Sequence, residues 1–240
     1  MALIGLTGNI GCGKDTVAKM IQIFFIAKRY KLQKELVDEL FVKYILQNQP
    51  MRNNKSEWEV KKFAYKLKKI AALLVGCEPE DFESQEFKDN PLSDEWQTIY
   101  KLDGVRTNRW LLQQLGTEAI RNNIHKETWI NALFADYIPN PKNGYIYPKD
   151  SESYEPKDFP NWIISDVRFL NEAKSIKDRN GLIIKIIRPD KESNSTHDSE
   201  TELSSICQEY TIVNAGTLED LYLNVVVALN ALKEKNLITF

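Results

Sequence analysis

The sequence predicts an α/β fold in which a mainly parallel sheet carries helices on both faces, with additional helical and loop insertions. Short apolar runs alternate with segments of helical periodicity, no repeat or low-complexity tract interrupts them, and a glycine-rich turn joins the first strand to the first helix. With 240 residues, 42% of them hydrophobic and 28% charged, the chain can bury a sizeable core. We expect a single domain over 1–240, with insertions near 31–55 and 139–160.

Periodicity and the residues that interrupt it define the predicted elements. Residues 2–7 form an apolar run typical of a buried parallel strand, and the helix after the glycine-rich turn is followed by a helical pattern over 31–49 that Pro50 stops. Further strands are expected at 58–64, 162–166, 182–188 and 209–213. Further helices are expected at 65–75, 107–122, 129–137, 170–178 and 217–233. The acidic segment 78–103 and the proline-rich segment 139–160 are expected to be surface connections.

Charge and cysteine usage exclude several protein classes. A net charge of −2 argues against a nucleic-acid partner. Cys12, Cys77 and Cys207 are widely spaced and form no CxxC pair, which indicates neither a disulfide framework nor a zinc site. The chain shows no signal-peptide pattern and no apolar run approaching ~20 residues, so we expect a soluble cytoplasmic protein without a membrane partner.

The turn between the first strand and the first helix has the pattern of a phosphate-binding P-loop. Gly8, four free positions, Gly13 and Lys14 match the Walker A motif up to its last place. Gly8, Gly11 and Gly13 let backbone N–H groups curl around phosphate oxygens, and Lys14 can reach the β and γ phosphates. A glycine-rich turn that binds nothing is the alternative, but the strand, loop and helix stand in the order that nucleotide binding requires.

Asp15 occupies the place where a Walker A loop normally has the Ser or Thr that ligates magnesium. A carboxylate there adds negative charge beside polyphosphate, and Mg²⁺ can offset that charge. We therefore expect Asp15 to hold Mg²⁺ directly or through water, and Thr16 to hydrogen-bond a donor phosphate. The alternative is that Asp15 only complements the dipole of the first helical turn.

A P-loop alone does not separate kinases from ATPases, GTPases or motors, so other residues must decide. Asp166 ends the predicted strand at 162–166, at the edge where open parallel sheets bind ligands. Arg168 follows two residues later and is expected near the same edge. The Asp166 carboxylate could orient magnesium waters or a substrate hydroxyl, or it could form a local salt bridge with Arg168 that fixes the strand-to-helix turn.

The predicted helix at 107–122 has one polar side, and a glycine without a side chain lies in the middle of that side. At 100° per residue, one third of its circumference collects Arg109, Gln113, Gly116 and Thr117, whereas the opposite side collects Leu111, Leu115 and Ala119. A mid-helix Gly116 costs ~1 kcal/mol relative to Ala, which indicates a close approach by backbone or ligand. Arg109 could grip a phosphate with two hydrogen bonds and Gln113 could read a base edge. An ordinary solvated helix face is the alternative.

Six segments, in order along nearly the whole chain, resemble the phage deoxynucleoside monophosphate kinases. They are 8–16 with its Gly-Lys-Asp-Thr ending, Phe63-Ala64 with Leu67-Lys68, Arg109 to Thr117, Trp129, 165–173, and His197 with Ser199-Glu200. The most specific are the Gly-Thr helix and the Asp-Val-Arg segment at 166–168.

This resemblance implies a P-loop kinase fold that moves the γ-phosphoryl group of ATP to a deoxynucleoside monophosphate with Mg²⁺. It implies that Lys14, Asp15 and Thr16 serve the donor phosphates and that Asp166 and Arg168 lie between donor and acceptor. The implied acceptor site consists of Lys68, Arg109, Gln113, Gly116, Thr117 and Trp129. A phage-encoded enzyme would work in the host cytoplasm, and a homodimer is an open expectation.

Two departures from the family pattern bear on specificity. Some relatives place basic residues early in the loop, whereas this chain has Asn9 and Ile10, so further phosphate-binding charge must come from elsewhere. The segments 31–54 and 139–160 match little of the family pattern. Arg188 and the polar segment around His197 suggest a lid or a wall on the adenine side of the donor.

Phosphoryl transfer to a monophosphate needs no strong general base, because the acceptor oxygen is already ionised near neutral pH. We expect Lys14 and Mg²⁺ to bind the β and γ phosphates, Arg109 to hold the acceptor phosphate, and Arg168 to neutralise charge on the transferring group. The alternatives are a P-loop kinase of another phosphorylated acceptor, such as phosphomevalonate or dephospho-coenzyme A, a P-loop ATPase or binding module, and a non-enzymatic interaction protein.

Overall fold

In the part of the chain that the structure describes, five parallel strands form one sheet. The computed structural model describes residues 3–51, 57–97, 104–139, 159–189 and 202–240. The strands are β1 (Leu3–Thr7), β2 (Trp58–Lys61), β3 (Asn161–Val167), β4 (Leu182–Ile187) and β5 (Tyr210–Val213). Their order is β2-β3-β1-β4-β5, and each neighbouring pair is parallel. The predicted parallel α/β architecture is confirmed.

Helices separate the strands along the chain. The α-helices among the described residues are α1 (Lys14–Tyr30), α2 (Lys34–Phe41), α3 (Tyr65–Val75), α4 (Gln85–Asp89), α5 (Asn108–Gln113), α6 (Thr128–Phe134), α7 (Leu170–Lys177) and α8 (Leu218–Glu234). Two π-helical segments, Val42–Leu46 and Gln114–Asn122, continue α2 and α5, and short 3₁₀ turns lie at Pro79–Glu83, Asp94–Trp96 and Glu202–Ser205. Within the described ranges, no helix has the length and apolar character needed to cross a membrane.

The chain divides into two compact units. Residues 1–62 and 137–240 form the sheet unit, and residues 63–136 form the helical unit. The single domain predicted from chain length stays a prediction.

The core of the sheet unit lies on both sides of β1, because alternate residues of a strand point to opposite faces. Ile4 and Leu6 pack with apolar residues of α1 and α8 on one face. On the other face, a Cβ added to Gly5 would lie 2.8 Å from the side chain of Ile176 in α7. Helices therefore cover both faces of the sheet, as predicted.

The helical pattern predicted over 31–49 is helical from Lys34 to Leu46 and is separated from α1 by a short break. Lys31 adopts a left-handed conformation with φ 49°, which ends α1, and the chain becomes helical again only at Lys34. Phe41, Tyr44 and Ile45 from the second part are buried in the same cluster as α1 and α8. The described part of this expected insertion thus contributes to the core of the sheet unit.

The acidic segment 78–103, expected as a surface connection, contributes to the core of the helical unit. Phe82 is fully buried and Leu92 is 6% exposed, and both pack with Ala71, Ala72 and Leu111. Widely spaced apolar residues among acidic ones give no periodic signal, so the sequence pattern did not indicate this burial.

Candidate active site

The glycine-rich loop between β1 and α1 has the backbone that its sequence predicts. Gly8, Gly11 and Gly13 have φ angles of 143°, 76° and 102°, which residues with a Cβ rarely adopt. A Cβ on Gly8 would also collide with the carbonyl oxygen of Ile186, and one on Gly13 would lie 2.9 Å from Nδ2 of Asn214. The loop leads directly into the first turn of α1, where free backbone N–H groups and the helix dipole favour an anion.

The ammonium group of Lys14 closes this loop. Its Nζ donates hydrogen bonds to the carbonyl oxygens of Gly8 at 2.6 Å and Asn9 at 2.8 Å. Cys12 inside the loop is only 1% exposed, and burial raises the pKa of its thiol although nearby Lys14 acts to lower it. The geometry favours a small residue that fits the loop over a reactive thiolate at this position.

Asp15 connects the first turn of α1 to two other parts of the sheet unit. The hydroxyl of Ser165, near the carboxyl end of β3, donates to Oδ1 of Asp15 at 2.7 Å. The ammonium of Lys62, directly after β2, lies 3.2 Å from each carboxylate oxygen. Asp15 keeps 63% of its side chain exposed, so this carboxylate is both held in place and open to a ligand.

Three side chains of this loop region carry no role in the sequence-based prediction. Ser165 and Lys62 contact Asp15, and Nδ2 of Asn214 donates to the carbonyl oxygen of Cys12 at 2.9 Å. Ser165 and Asn214 lie at or just beyond the carboxyl end of a predicted strand, the edge of a parallel sheet where ligands bind, and that position was the available signal for them. Lys62 falls within the predicted strand 58–64, and it reaches this edge because β2 ends at Lys61.

Asp166 and Arg168 lie at the end of β3, next to the start of α7. The backbone N–H groups of Arg168 and Phe169 donate to Oε2 of Glu172 at 2.8 Å and 3.1 Å, which caps α7. Among the described residues, the guanidinium of Arg168 makes no hydrogen bond or ion pair, so the local salt bridge with Asp166 is not formed. Their roles in substrate binding and catalysis stay predictions.

The two cations of the implied acceptor site, Lys68 and Arg109, both pair with acidic side chains of the helical unit. Arg109 donates from Nε to Oδ1 of Asp89 at 2.8 Å and from a terminal nitrogen to Oε1 of Gln85 at 3.0 Å. Lys68, whose side chain is 11% exposed, donates to Oε1 of Glu83 at 2.7 Å. Both cations are thus held by carboxylates, which present the same kind of acceptor oxygen as a phosphate.

The remaining predicted acceptor residues differ in accessibility. Gln113 is exposed, whereas Gly116, Thr117 and Trp129 are buried. The indole N–H of Trp129 donates to the carbonyl oxygen of Gly116 at 2.8 Å, and a Cβ on Gly116 would lie 2.7 Å from Cδ2 of Leu67. The close approach predicted at this glycine is therefore made by a neighbouring side chain. Substrate contacts of these residues stay predictions.

The π-helical segment changes the predicted helix face. From Gln114 onward the backbone follows an i→i+5 pattern, so residues no longer advance by the angle of an α-helix. Leu111 is buried, as the helical wheel predicts, but Ala119 on the same predicted side is exposed. The helical wheel therefore holds for Leu115, which packs against the same cluster as Leu111, but it is wrong for Ala119.

The predicted adenine side is only partly described. Arg188 directly follows β4 and is half-buried, and its donor contact stays a prediction. His197, Ser199 and Glu200 lie outside the described residues.

A sequence model of the deoxynucleotide monophosphate kinase family matches residues 60–225, more than half of this chain, from within β2 onward. The chain is similar to a protein of Acanthamoeba polyphaga mimivirus that is provisionally assigned as a deoxynucleotide monophosphate kinase. The identity is 29% over 252 residues, covering 98% of this chain and all of that protein. The deoxynucleotide monophosphate kinase of Enterobacteria phage T4 is 26% identical over 248 residues, with 92% of this chain and 96% of the phage protein covered.

A shorter match joins the chain to the deoxynucleotide monophosphate kinase of Escherichia phage RB69. It is 24% identical over 126 residues and covers 52% of this chain and 46% of that protein. The resemblance inferred from the motifs is confirmed by the family match. The chain belongs to the deoxynucleotide monophosphate kinase family.

Proposed function

We propose that this protein transfers the γ-phosphoryl group of ATP to a deoxynucleoside 5′-monophosphate and releases ADP and the deoxynucleoside diphosphate. The observation that carries the proposal is the P-loop backbone of Gly8 to Lys14 between β1 and α1, in a chain of this family. A left-handed glycine loop that opens a helix is a binding site for polyphosphate.

The donor side of the proposal uses the loop glycines, Lys14, Thr16 and Arg188. On binding ATP, Lys14 would exchange the carbonyl oxygens of Gly8 and Asn9 for phosphate oxygens, which carry more negative charge. The loop N–H groups and the first turn of α1 would bind the remaining phosphate oxygens.

Asp15 is the proposed ligand of Mg²⁺. Carboxylate oxygens are the ligands that Mg²⁺ prefers, and the ion is usually held by one or two carboxylates together with substrate phosphates. Asp15 is exposed at the start of α1. The ion would neutralise negative charge on the β and γ phosphates.

The acceptor side uses Lys68, Arg109, Gln113, Gly116, Thr117 and Trp129. Support comes from the carboxylate partners of Lys68 and Arg109, because a cation that binds carboxylate oxygens in the free protein can bind phosphate oxygens in their place. Arg168 is proposed to neutralise the transferring phosphoryl group, and Asp166 to orient the groups around it. The acceptor oxygen is already ionised, so positioning and charge neutralisation suffice.

The test is a coupled ADP-release assay of the purified protein with ATP and Mg²⁺. The acceptors are the deoxynucleoside monophosphates, their ribose counterparts, phosphomevalonate and dephospho-coenzyme A. We expect ADP release only with one or more deoxynucleoside monophosphates. Chromatography of the reaction mixture should then show the corresponding deoxynucleoside diphosphate. ADP release without any acceptor would indicate an ATPase, and release only with another phosphorylated acceptor would contradict the proposed substrate class.

Cytoplasmic location and a homodimer complete the proposal. Deoxynucleotides and ATP are dissolved in the cytoplasm of a host cell, where a phage-type enzyme would meet them. Size-exclusion chromatography with light scattering decides between a monomer of 27.8 kDa and a dimer.

A further inference from the structure

The phosphate-binding loop of this chain carries little positive charge of its own. Between Gly8 and Thr16, Lys14 is the only cationic side chain, and Asp15 is the only anionic one. The two charges cancel, although a nucleotide triphosphate brings several negative charges to the loop. A cation from another part of the chain is needed for charge complementarity.

Lys62 is the cation that the fold brings to this loop. It directly follows β2, and in the order β2-β3-β1 the carboxyl end of β2 lies at the same edge of the sheet as the loop after β1. Its ammonium is 3.2 Å from both oxygens of Asp15. The neighbouring Lys61 instead pairs with Glu59 at 2.7 Å and lies over the ring of Trp162. The two consecutive lysines therefore have different surroundings.

The environment of Lys62 suits a cation that can change partners. Its side chain is only 22% exposed, so its charge is partly desolvated and requires an anion nearby. Asp15 is mostly exposed, and ion pairs with an exposed partner are weak. A polyphosphate at the loop offers more negative charge than one carboxylate, and the flexible stem of lysine allows its ammonium to reorient.

A second lysine shows that positive charge concentrates at this place. Lys19, one turn after Asp15 on α1, donates to Oδ1 of Asn48 at 2.6 Å. Burial lowers the pKa of Lys19, Asp15 acts to raise it, and the charge of Lys62 acts to lower it. Asp15, Lys19 and Lys62 thus lie within Coulombic reach of one another.

We propose that Lys62 is a further nucleotide-binding cation, which is held by Asp15 in the free protein and contacts the donor polyphosphate when ATP binds. This inference rests on the proposed function, since it assigns a further residue to the same donor site. It also assigns a source for the phosphate-binding charge that Asn9 and Ile10 do not supply.

Isothermal titration with ATP in EDTA tests the inference without turnover and without metal. We expect Lys62→Gln to weaken ATP binding on the order of tenfold and the control Lys61→Gln to change it less than about twofold. Asp15→Asn should tighten binding, because it removes a negative charge and releases Lys62 to the phosphates.

The decisive comparison is Asp15→Asn with and without Lys62→Gln. If Lys62 contacts phosphate, the double variant binds ATP at least about tenfold more weakly than Asp15→Asn alone. If Lys62 only neutralises Asp15, removing it in the Asp15→Asn background has no effect, and the inference is overturned. The double variant leaves no unpaired carboxylate at this position, so we expect it to fold. Thermal unfolding measurements verify that each variant is folded.

Results that contradict the proposed kinase function differ from results that contradict only the role of Lys62. A wild-type protein that binds no ATP, or that binds ATP but phosphorylates no deoxynucleoside monophosphate, contradicts the proposed function whatever Lys62 does. A wild-type protein that is active, combined with unchanged ATP binding on removal of Lys62 from Asp15→Asn, contradicts only the role of Lys62.

Discussion

Arg109 donates hydrogen bonds to Asp89 and Gln85, two residues of the short helix α4. The cation that the sequence predicts to hold the acceptor phosphate is therefore bound to a carboxylate in the free protein. A substrate phosphate would have to replace Asp89, and the strength of this ion pair would enter the apparent affinity for the acceptor. Because the Asp89 side chain is 62% exposed, that contribution is small.

Replacing Arg109 with Ala should weaken binding of the acceptor nucleotide much more than binding of ATP. Loss of a bidentate charged contact is expected to cost on the order of 2–4 kcal/mol, roughly 30- to 900-fold in acceptor kcat/KM. Arg109→Lys should recover only part of this, because an ammonium lacks the planar fork of a guanidinium. The measurement is steady-state kinetics with each substrate varied, together with ATP titration. Poor ATP binding with normal acceptor kinetics would reverse the assignment of the two sites.

Replacing Asp89 with Asn should strengthen acceptor binding. It removes the competing charge on Arg109, and since exposed ion pairs contribute at most about 1 kcal/mol, the acceptor KM should fall by up to about fivefold with kcat nearly unchanged. Glu86→Gln on the same helix is the matched control, because it removes the same charge at an exposed position. An equal fall in KM for both variants would point to general electrostatics rather than to release of Arg109.

Lys14→Ala should lower turnover by about two to three orders of magnitude, because a charged donor aimed at the transferring phosphates is lost. Its folded-state contacts include hydrogen bonds to two loop carbonyls and to Sγ of Cys12, and we expect the free energy of unfolding to fall by about 1–3 kcal/mol. Kinetics and thermal unfolding check both parts, with Lys174→Ala on the exposed surface as control. A folded Lys14→Ala protein with near-normal turnover would contradict the P-loop assignment.

Gly116→Ala should destabilise the helical unit. Its Cβ would lie 2.7 Å from Cδ2 of the buried Leu67. Overpacking costs about 1–3 kcal/mol, which exceeds the ~1 kcal/mol gained by replacing a helical glycine. In a Leu67→Ala background the Cβ has room, so the same substitution should become neutral or stabilising. Urea unfolding of the wild type, both single variants and the double variant measures the free energies of unfolding. If Gly116→Ala changes this free energy equally in both backgrounds, Leu67 is not the cause of the destabilisation.

Thiol reactivity should distinguish the three cysteines. Cys207 is exposed and should react first with a disulfide reagent at pH 8. Burial raises the pKa of Cys77, with Asp81 and Glu78 adding to the effect, and burial also raises the pKa of Cys12. A raised pKa keeps a thiol protonated to higher pH, and the thiolate is the reactive form. Cys12 should therefore react only on unfolding, and comparison with the Cys12→Ser variant identifies its signal. Rapid labelling of Cys12 in the folded protein would contradict its burial in the loop.

Local signals predicted much of the fold. The helix at 65–75 ends at Gly76 in a left-handed conformation, and Thr107 caps α5 by accepting from the N–H of Trp110. Both follow from residue type and spacing, which act within a few positions of the chain. The break at Lys31 was not predictable in this way, because no glycine or proline marks it. The π-helical segment after Gln113 contains Gly116, but a glycine does not specify an i→i+5 pattern.

The sequence predicted the motif of the candidate site but not the long-range contacts that support it. Gly8 to Thr16 is a local pattern, so its loop conformation could be derived from the sequence. Ser165 contacts Asp15 across 150 positions of the chain, and Asn214 contacts Cys12 across 202. Such pairs depend on strand order, which periodicity alone does not determine.

The central position of β1 affects the order in which the protein can form during synthesis. Its partners β3 and β4 begin only at Asn161 and Leu182. At about 5–20 residues per second, the ribosome needs roughly 8–35 s to reach them from β1. Residues 63–136 are contiguous and contain their own apolar cluster, so they can pack during that interval. The strand that leads into the phosphate-binding loop is thus made well before the strands it pairs with, and a nascent chain should acquire nucleotide binding only after β3 and β4 have been translated.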